Sequence, residues 1–93
     1  MRVAVTIRIP TTLRSLTAGQ SEVEVASGSA SDVLGALELL HPGFSERITD
    51  EMGALHRFVN IFVDDEDLRF LDGLDTEVPD GATVSIVPAV VGG

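Results

Sequence analysis

The chain has 93 residues, of which 44% are hydrophobic, which is enough for one small domain with a single core. Fifteen acidic residues against six basic ones give a net charge of −9. This charge excludes nucleic acid and anionic membranes as expected partners, because both would repel the protein, and it favours a basic protein surface instead.

Two residue types are missing from the sequence. All six basic residues are arginines. Without lysine, no side chain of one copy offers an amine to which the carboxylate of another copy could be joined by an isopeptide bond. Cysteine is absent as well, which excludes disulfides, thiolate metal sites and thiol nucleophiles. The first residues alternate between apolar and polar, without the apolar core of a signal peptide or a membrane span. We therefore expect a soluble, cytoplasmic protein.

The first half of the chain predicts a hairpin followed by a helix. Residues 3 to 9 and residues 21 to 26 both alternate with a period of two, which is typical of half-buried strands joined as an antiparallel hairpin. Apolar residues at helical spacing follow between 33 and 40. Ser29 and Ser31 are candidate N-caps, and Asp32 lies in the first turn, where the helix dipole favours a negative charge.

The helix is expected to stop at the sequence His-Pro-Gly, residues 41 to 43. We interpret His41 as a partner of the helix dipole rather than as a ligand. Residues 44 to 56 predict one helical turn and a loop. The stretch RFVNIFV, residues 57 to 63, is the strongest strand pattern in the chain.

The last third predicts a turn at residues 64 to 67, a short strand at 68 to 70, a loop at 71 to 81 and a final strand at 83 to 90. Together the elements favour an α+β protein of the β-grasp type. One main helix would pack across a mixed sheet of four or five strands, with the last strand near the centre. We expect a domain at 1–88 and a flexible tail at 89–93; other two-layer packings of these elements remain open.

Candidates for catalysis are weak. The acidic residues at 64 to 67 lie between two strands without a calcium-loop pattern, and a solvated turn explains them. His56 has no cysteine or spaced second histidine beside it, so no zinc site is predicted. Phosphate-binding and nucleophile-elbow motifs are absent from the sequence. We therefore expect no intrinsic active site, no metal and no bound cofactor.

One surface patch is predicted on the strand at 57 to 63. If Val59, Ile61 and Val63 line the core, the alternate residues lie on the outer face of the sheet. These alternate residues, which are candidates for partner docking, are Phe58, Asn60 and Phe62. An apolar patch on an acidic protein often marks an interface. The alternative is that the phenylalanines fill a second small core under the loop at 71 to 82.

The sequence ends with Pro-Ala-Val-Val-Gly-Gly, residues 88 to 93. A carboxylate is a poor electrophile until it is adenylated, and an activating enzyme must draw it into a narrow channel. Glycine suits such a channel, because a residue without Cβ lets the backbone approach closely.

With these glycines, the run from Leu55 to Gly93, and RFVNIFVDDEDLRF in particular, resembles the ubiquitin-like sulfur carriers of the MoaD and ThiS family, nearest to the CysO type. The resemblance, which also includes TIRIPTTLR near the N-terminus, covers essentially the whole chain. It implies a β-grasp fold and a protein cosubstrate rather than an enzyme.

The resemblance also implies a role for each residue of the tail. Gly93 would be adenylated, with ATP used by the activating enzyme, and converted to a thiocarboxylate. Gly92 and the apolar residues before it would thread into partner enzymes; these residues are Ala89, Val90 and Val91. Because the sequence stops at Gly93, no maturation cut is expected, although some relatives need a metalloprotease.

The partners implied by the resemblance are an adenylating enzyme of the ubiquitin-activating type and a sulfur-acceptor synthase, with a sulfurtransferase and a metalloprotease as further candidates. The acceptor stays open between cysteine synthesis and another product such as a thiosugar. Two alternatives to a sulfur carrier remain. One is a protein modifier that forms isopeptide bonds with lysines of target proteins, and the other is an interaction module with a passive tail.

Overall fold

A computed structural model describes residues 4–50, 52, 55–56 and 59–88. The strands in these ranges are β1 (Val5–Arg8), β2 (Glu22–Val25), β3 (Gly28–Ser29), β4 (Val59–Val63), β5 (Glu66–Asp67), β6 (Glu77–Val78) and β7 (Thr83–Pro88). The α-helices are α1 (Ala30–Leu40) and α2 (Phe44–Ile48), and short 3₁₀ helices span Thr11–Thr17, Leu68–Phe70 and Gly73–Asp75. The predicted boundary between a domain at 1–88 and a tail at 89–93 stays a prediction, because the tail lies outside the described residues.

Five of the strands form one mixed sheet in the order β2-β1-β7-β4-β5. β1 and β2 are an antiparallel hairpin, as the alternating patterns predict, with Ile7 opposite Val23. β7 lies in the centre, parallel to β1 and antiparallel to β4. The predicted central position of the last strand is therefore confirmed. A second, two-stranded sheet joins β3 to β6.

The core lies between the sheet and α1. Inward residues of β1, β2, β4 and β7 form one cluster with Val33 and Leu37 of α1, and these two helix residues are fully buried. Val59, Ile61 and Val63 of β4 are buried in the same cluster, which confirms the predicted inward face of this strand. Helix α1 therefore covers one face of the sheet and leaves the other face open.

Helix α1 begins where the sequence predicts. The Ser29 hydroxyl accepts a hydrogen bond from the Asp32 amide at 3.1 Å, and the Asp32 carboxylate accepts one from the Ser29 amide at 3.3 Å. This reciprocal capping box satisfies two backbone donors at the helix start and selects Ser29 over Ser31 as N-cap. His41 is the residue that follows the last turn.

The predicted strand at 68 to 70 is wrong. The short strand opposite β4 is Glu66–Asp67, so that only Asp64 and Asp65 form the turn, and residues Leu68–Phe70 are a 3₁₀ helix. The reason is that Leu68 is fully buried and the Asp67 carboxylate accepts a hydrogen bond from the Arg69 amide at 2.8 Å. Burial of Leu68 and this local cap turn the chain away from β4 just after Asp67.

The predicted loop at 71 to 81 is more ordered than expected. It contains a 3₁₀ turn and β6, whose Val78 pairs with Gly28 and is buried in the core. Two-residue strands such as β3 and β6 have too little sequence for a period to be read. Through Val78, this segment packs in the same hydrophobic core as α1.

The carboxylate of Glu38 takes the place of a missing cap on α2. The N-cap residue of α2 is Gly43, which has no side chain and adopts a φ of 116°. Glu38, near the end of α1, accepts hydrogen bonds from the Gly43 amide at 3.0 Å and the Ser45 amide at 2.7 Å. These bonds, first that from Ser45 and then that from Gly43, lower the pKa of Glu38. One side chain therefore joins the two helices at their junction.

The turn between β4 and β5 is strained. Asp64 and Asp65 adopt φ values of 49° and 75°, as a two-residue hairpin turn of this twist requires. The Asp64 carboxylate accepts a hydrogen bond from the Thr83 amide at 3.0 Å, while the Asp64 amide donates to the Thr83 carbonyl at 2.9 Å. Asp64 thus links the turn to the start of β7, and no such contact is seen for Asp65 in the described structure.

We expect Asp65→Gly to stabilise the protein by about 0.5 kcal/mol. Glycine adopts a positive φ without the steric cost of a Cβ, and this gain exceeds its greater loss of backbone entropy on folding. Urea denaturation measures the change in the free energy of unfolding. Asp72→Gly is the matched control, since Asp72 has a negative φ of −98° and should lose stability on the same change. A loss of stability in Asp65→Gly would contradict this explanation.

We expect the stabilisation contributed by the Glu38 charge to depend on pH. Because the folded-state pKa of Glu38 is lowered, this contribution is complete above the unfolded-state value of about 4.3 and disappears as the pH falls through the folded value. Melting temperatures of the original chain and of Glu38→Gln should therefore differ at pH 7 and converge towards pH 2. Glu77→Gln, at an exposed position of β6, is the control. A difference that persists unchanged at pH 2 would show that the charge is not involved.

Candidate functional site

The strand that leads to the C-terminal tail, β7, lies in the centre of the sheet. β7 pairs with β1 through Thr6, Ile7 and Arg8, and with β4 along its whole length from Val84 to Pro88. Pro88 is the last described residue and lies opposite Val59. The predicted carrier residue Gly93 and the threading residues Ala89, Val90, Val91 and Gly92 lie outside the described residues. Val87 and Pro88, which we call the root of the tail, are by contrast described and pair with Asn60 and Val59 of β4.

The open face of the sheet is built from the outward residues of its strands. The register places Glu22, Arg8, Ser85, Phe62 and Asp67 side by side in one row across the five strands. Asn60 and Val87 form the next row, towards the tail. Residues paired directly across strands have Cβ atoms about 5 Å apart, so the side chains of each row form a continuous surface. We call the surface formed by these two rows the outer face.

The described apolar part of the outer face is small. Phe62 is half-buried and Val87 is 44% exposed, and charged residues lie at both ends of the Phe62 row. Of the three predicted docking residues, Asn60 and Phe62 lie on this face as predicted, and Phe58 lies outside the described residues. Val87 was missed, although its position follows from the alternation in TVSIVP, in which Val84 and Ile86 are the buried residues.

Asn60 makes a hydrogen bond within the protein. Its side-chain oxygen accepts a hydrogen bond from the Arg69 guanidinium. Because a guanidinium has only donors, this contact fixes which end of the carboxamide faces Arg69 and directs the amide hydrogens elsewhere. Sequence patterns give no signal for this pair, since Arg69 follows Asn60 by nine residues and belongs to a different element.

The rest of the described surface offers no clear alternative site. No three histidine, aspartate or glutamate side chains within residues 4–50, 52, 55–56 and 59–88 lie close enough to hold a metal. A groove of about 720 Å³ is open and is lined by residues of α2 and the following loop, among them Glu46, Asp50 and His56. None of the helices in the described ranges is long and apolar enough to cross a membrane.

Comparison with known proteins identifies the family. The model of the ThiS family matches residues 7–93. The chain belongs to the ThiS family. Within this family it is 50% identical over 91 residues to the sulfur carrier protein CysO of Mycobacterium tuberculosis, a match that covers 96% of this chain and 98% of that protein. This ThiS-family protein is therefore a homologue of a sulfur carrier.

The comparison with solved structures confirms the β-grasp fold. A chain of the crystal structure of the Amycolatopsis orientalis BexX/CysO complex superposes with a TM-score of 0.91 at 46% identity, covering 97% of this chain and 100% of that chain. A more distant relative is small archaeal modifier protein 3 of Haloferax volcanii, 34% identical over 65 residues and 70% of each chain. Its name describes a modifier rather than a sulfur carrier.

Proposed function

We propose that this protein is a sulfur carrier whose terminal glycine, Gly93, carries a thiocarboxylate. It acts as a cosubstrate for partner enzymes and has no active site of its own. The supporting observation is the combination of family membership with the position of β7. The central strand of this ThiS-family fold ends at Pro88, and the fourth and fifth residues after it are Gly92 and Gly93.

The chemistry takes place in two steps. The Gly93 carboxylate attacks the α-phosphorus of ATP, so that an acyl-adenylate forms and pyrophosphate leaves. Hydrogen sulfide then attacks the acyl carbon, AMP leaves with the bonding electrons, and sulfur loses both of its protons. The product is a thiocarboxylate. The chain contains no cysteine, so the sulfur atom must come from outside the carrier.

The fold supplies the geometry for this role. Because β7 is paired with β4 as far as Pro88, the root of the tail is held against the sheet, and the five residues after Pro88 can reach into a partner. Five residues extend at most about 17 Å. The same partner can therefore contact the outer face, through Phe62, Asn60 and Val87, and receive Gly93 in its active site. The predicted contribution of Phe58 to this contact is part of the proposal.

Two partner enzymes follow from this proposal. An adenylating enzyme of the ubiquitin-activating type uses ATP to activate Gly93, and a sulfur-acceptor synthase takes the sulfide from the thiocarboxylate. The BexX/CysO structure contains a carrier of this type in a complex, which supports a direct contact with an acceptor enzyme. The molecule that accepts the sulfur belongs to cysteine biosynthesis or to a pathway for another product such as a thiosugar. The proposed location of this chemistry is the cytoplasm. A sulfurtransferase and a metalloprotease are further proposed partners.

A second candidate function is protein modification. The similarity to small archaeal modifier protein 3 favours it, since a modifier of that kind and a sulfur carrier both need an activated terminal glycine. The absence of lysine from this chain allows conjugation to other proteins but not self-made chains through side chains. Covalent adducts between Gly93 and target lysines, detected by mass spectrometry, would distinguish this function from sulfur transfer.

We expect the protein isolated from its own host to carry a mass increase of roughly 16 Da, located at Gly93. Oxidation produces the same nominal shift, so accurate mass and reaction with a thiol-selective alkylator must accompany the measurement. The tryptic peptide that follows Arg69, residues 70 to 93, contains no methionine, which makes it suitable for this purpose.

The control is a chain without Gly92 and Gly93. It should show no shift, and its free energy of unfolding should stay within about 1 kcal/mol of the original, since a terminal pair beyond the last strand buries little surface. An unmodified tail after incubation with the activating enzyme, ATP and sulfide would reject the sulfur-carrier proposal.

We expect Phe62→Ala to raise the KM of the activating enzyme for this carrier roughly tenfold, because a large aromatic side chain in the centre of an interface commonly contributes more than 1 kcal/mol. Leu39→Ala is the matched control, since Leu39 is 85% exposed on α1, a helix on the other side of the sheet. Circular dichroism checks that both variants are folded at the assay temperature. Equal KM values for Phe62→Ala and Leu39→Ala would show that the outer face is not the docking surface.

A further inference from the structure

Strand β4 has an incomplete edge near the tail. β5 pairs only with Phe62 and Val63 of β4 in the described structure, and the chain then turns into the 3₁₀ helix that begins at Leu68. Among the described residues, therefore, no strand pairs with the start of β4 at Val59 on the side away from β7. An open strand edge presents backbone groups that need partners.

The guanidinium of Arg69 occupies this position. Its Nη2 donates to the Val59 carbonyl at 2.9 Å and to the His56 carbonyl at 2.8 Å, and its Nη1 donates to the Asn60 side chain. The His56 carbonyl also accepts a hydrogen bond from the Val59 amide at 3.0 Å. One planar group thus links three points at the start of β4, in the way that a further strand would.

Arg69 is itself held in place. Leu68, immediately before it, is fully buried in the core, and the backbone amide of Arg69 donates to the Asp67 carboxylate at 2.8 Å. The Leu71 amide closes the same 3₁₀ turn on the Leu68 carbonyl at 3.0 Å. The guanidinium therefore extends from a fixed backbone position, so its contacts restrain β4.

The residues that Arg69 holds are those that pair with the root of the tail. Val59 lies opposite Pro88, and Asn60 lies opposite Val87. The Val59 carbonyl points towards Arg69, so the backbone groups of Asn60, the next residue, point the other way and face β7. Val59 and Pro88 are therefore a pair without backbone hydrogen bonds to each other, since the Val59 amide donates to His56 and the Val59 carbonyl accepts from Arg69. Asn60 and Val87 are the last pair before the tail whose backbone groups face each other, and restraint of the start of β4 acts on this pair.

We propose that Arg69 is a positioning residue of this carrier: by restraining Val59 and Asn60 it sets where and in which direction the tail leaves the sheet, and it orients the Asn60 carboxamide on the outer face. This proposal rests on the proposed function for its role in activation. Without Arg69 the tail root samples several directions, and only a fraction of the docked carriers present Gly93 productively.

The test compares Arg69→Met with Arg47→Met, a matched control in which an exposed arginine of α2 loses its charge. Gly93 thiocarboxylate formation is measured with the activating enzyme, ATP and sulfide at 25 °C, and amide hydrogen exchange is measured on each free carrier. We expect kcat/KM to fall about tenfold in Arg69→Met, mainly through kcat because docking by the outer face is kept, and to stay unchanged in Arg47→Met.

We also expect the exchange protection of the Asn60 and Val87 amides to fall about tenfold in Arg69→Met, while the Ile7 amide at the centre of the sheet keeps its protection. Arg69→Lys retains one charged donor and should give intermediate values, and it replaces the methionine variant if that variant does not fold. Leu37→Ala, which truncates a fully buried residue of α1 and is compared at equal folded fraction, tests for a general loss of stability and should keep kcat/KM.

The outcomes separate the two proposals. If the original chain forms no thiocarboxylate, the sulfur-carrier function fails, and the exchange data still decide whether Arg69 holds the tail root. If the original chain is active and Arg69→Met matches it in both kcat/KM and exchange, the positioning role is wrong. A loss of activity without a loss of protection at Asn60 and Val87 would also overturn it, because the effect would then be direct contact with the enzyme.

Discussion

The pairing of β7 on both sides is the constraint on which the rest of the structure depends. Val84 and Ile86 face the core, and a shift of the register by one residue would turn both towards solvent. The hydrophobic core therefore fixes how far β7 slides along β1 and β4. Because Pro88 follows two residues after Ile86, the same burial sets the point from which the tail begins. The position of the tail is thus determined by the packing of the core and not by an enclosing pocket.

Side chains complete the backbone where the regular elements are short. Glu38 caps α2 in place of the side chain that Gly43 lacks, Asp64 binds the first amide of β7, and Arg69 binds the open edge of β4. Each of these groups is charged and lies at the end of an element, where unpaired amides or carbonyls would otherwise remain. In so small a domain, these contacts connect elements that share few core residues.

The two faces of the sheet serve different purposes. The inner face packs against α1 and stabilises the fold, while the outer face and the tail root lie together on the opposite side. An acidic protein with a small apolar area around Phe62 and Val87 suits brief contacts with basic partners, since charge speeds association and a small interface allows release. The proposed role, in which the protein moves between an activating enzyme and an acceptor enzyme, would need both properties.

The sequence by itself determined the features that depend on local pattern. Alternation predicted β1 and β2, the strand patterns at 57 to 63 and 83 to 90 predicted β4 and β7, and the helical period predicted α1 with Ser29 or Ser31 as N-cap. The terminal glycines with the run after Leu55 indicated the family. The tertiary structure decided the rest. Strands of two residues have no readable period. Leu68 is buried in the core in place of the predicted strand, and the Arg69 guanidinium binds Asn60, nine residues earlier in the chain. Such contacts depend on how separate elements pack, and a one-dimensional pattern does not contain that information.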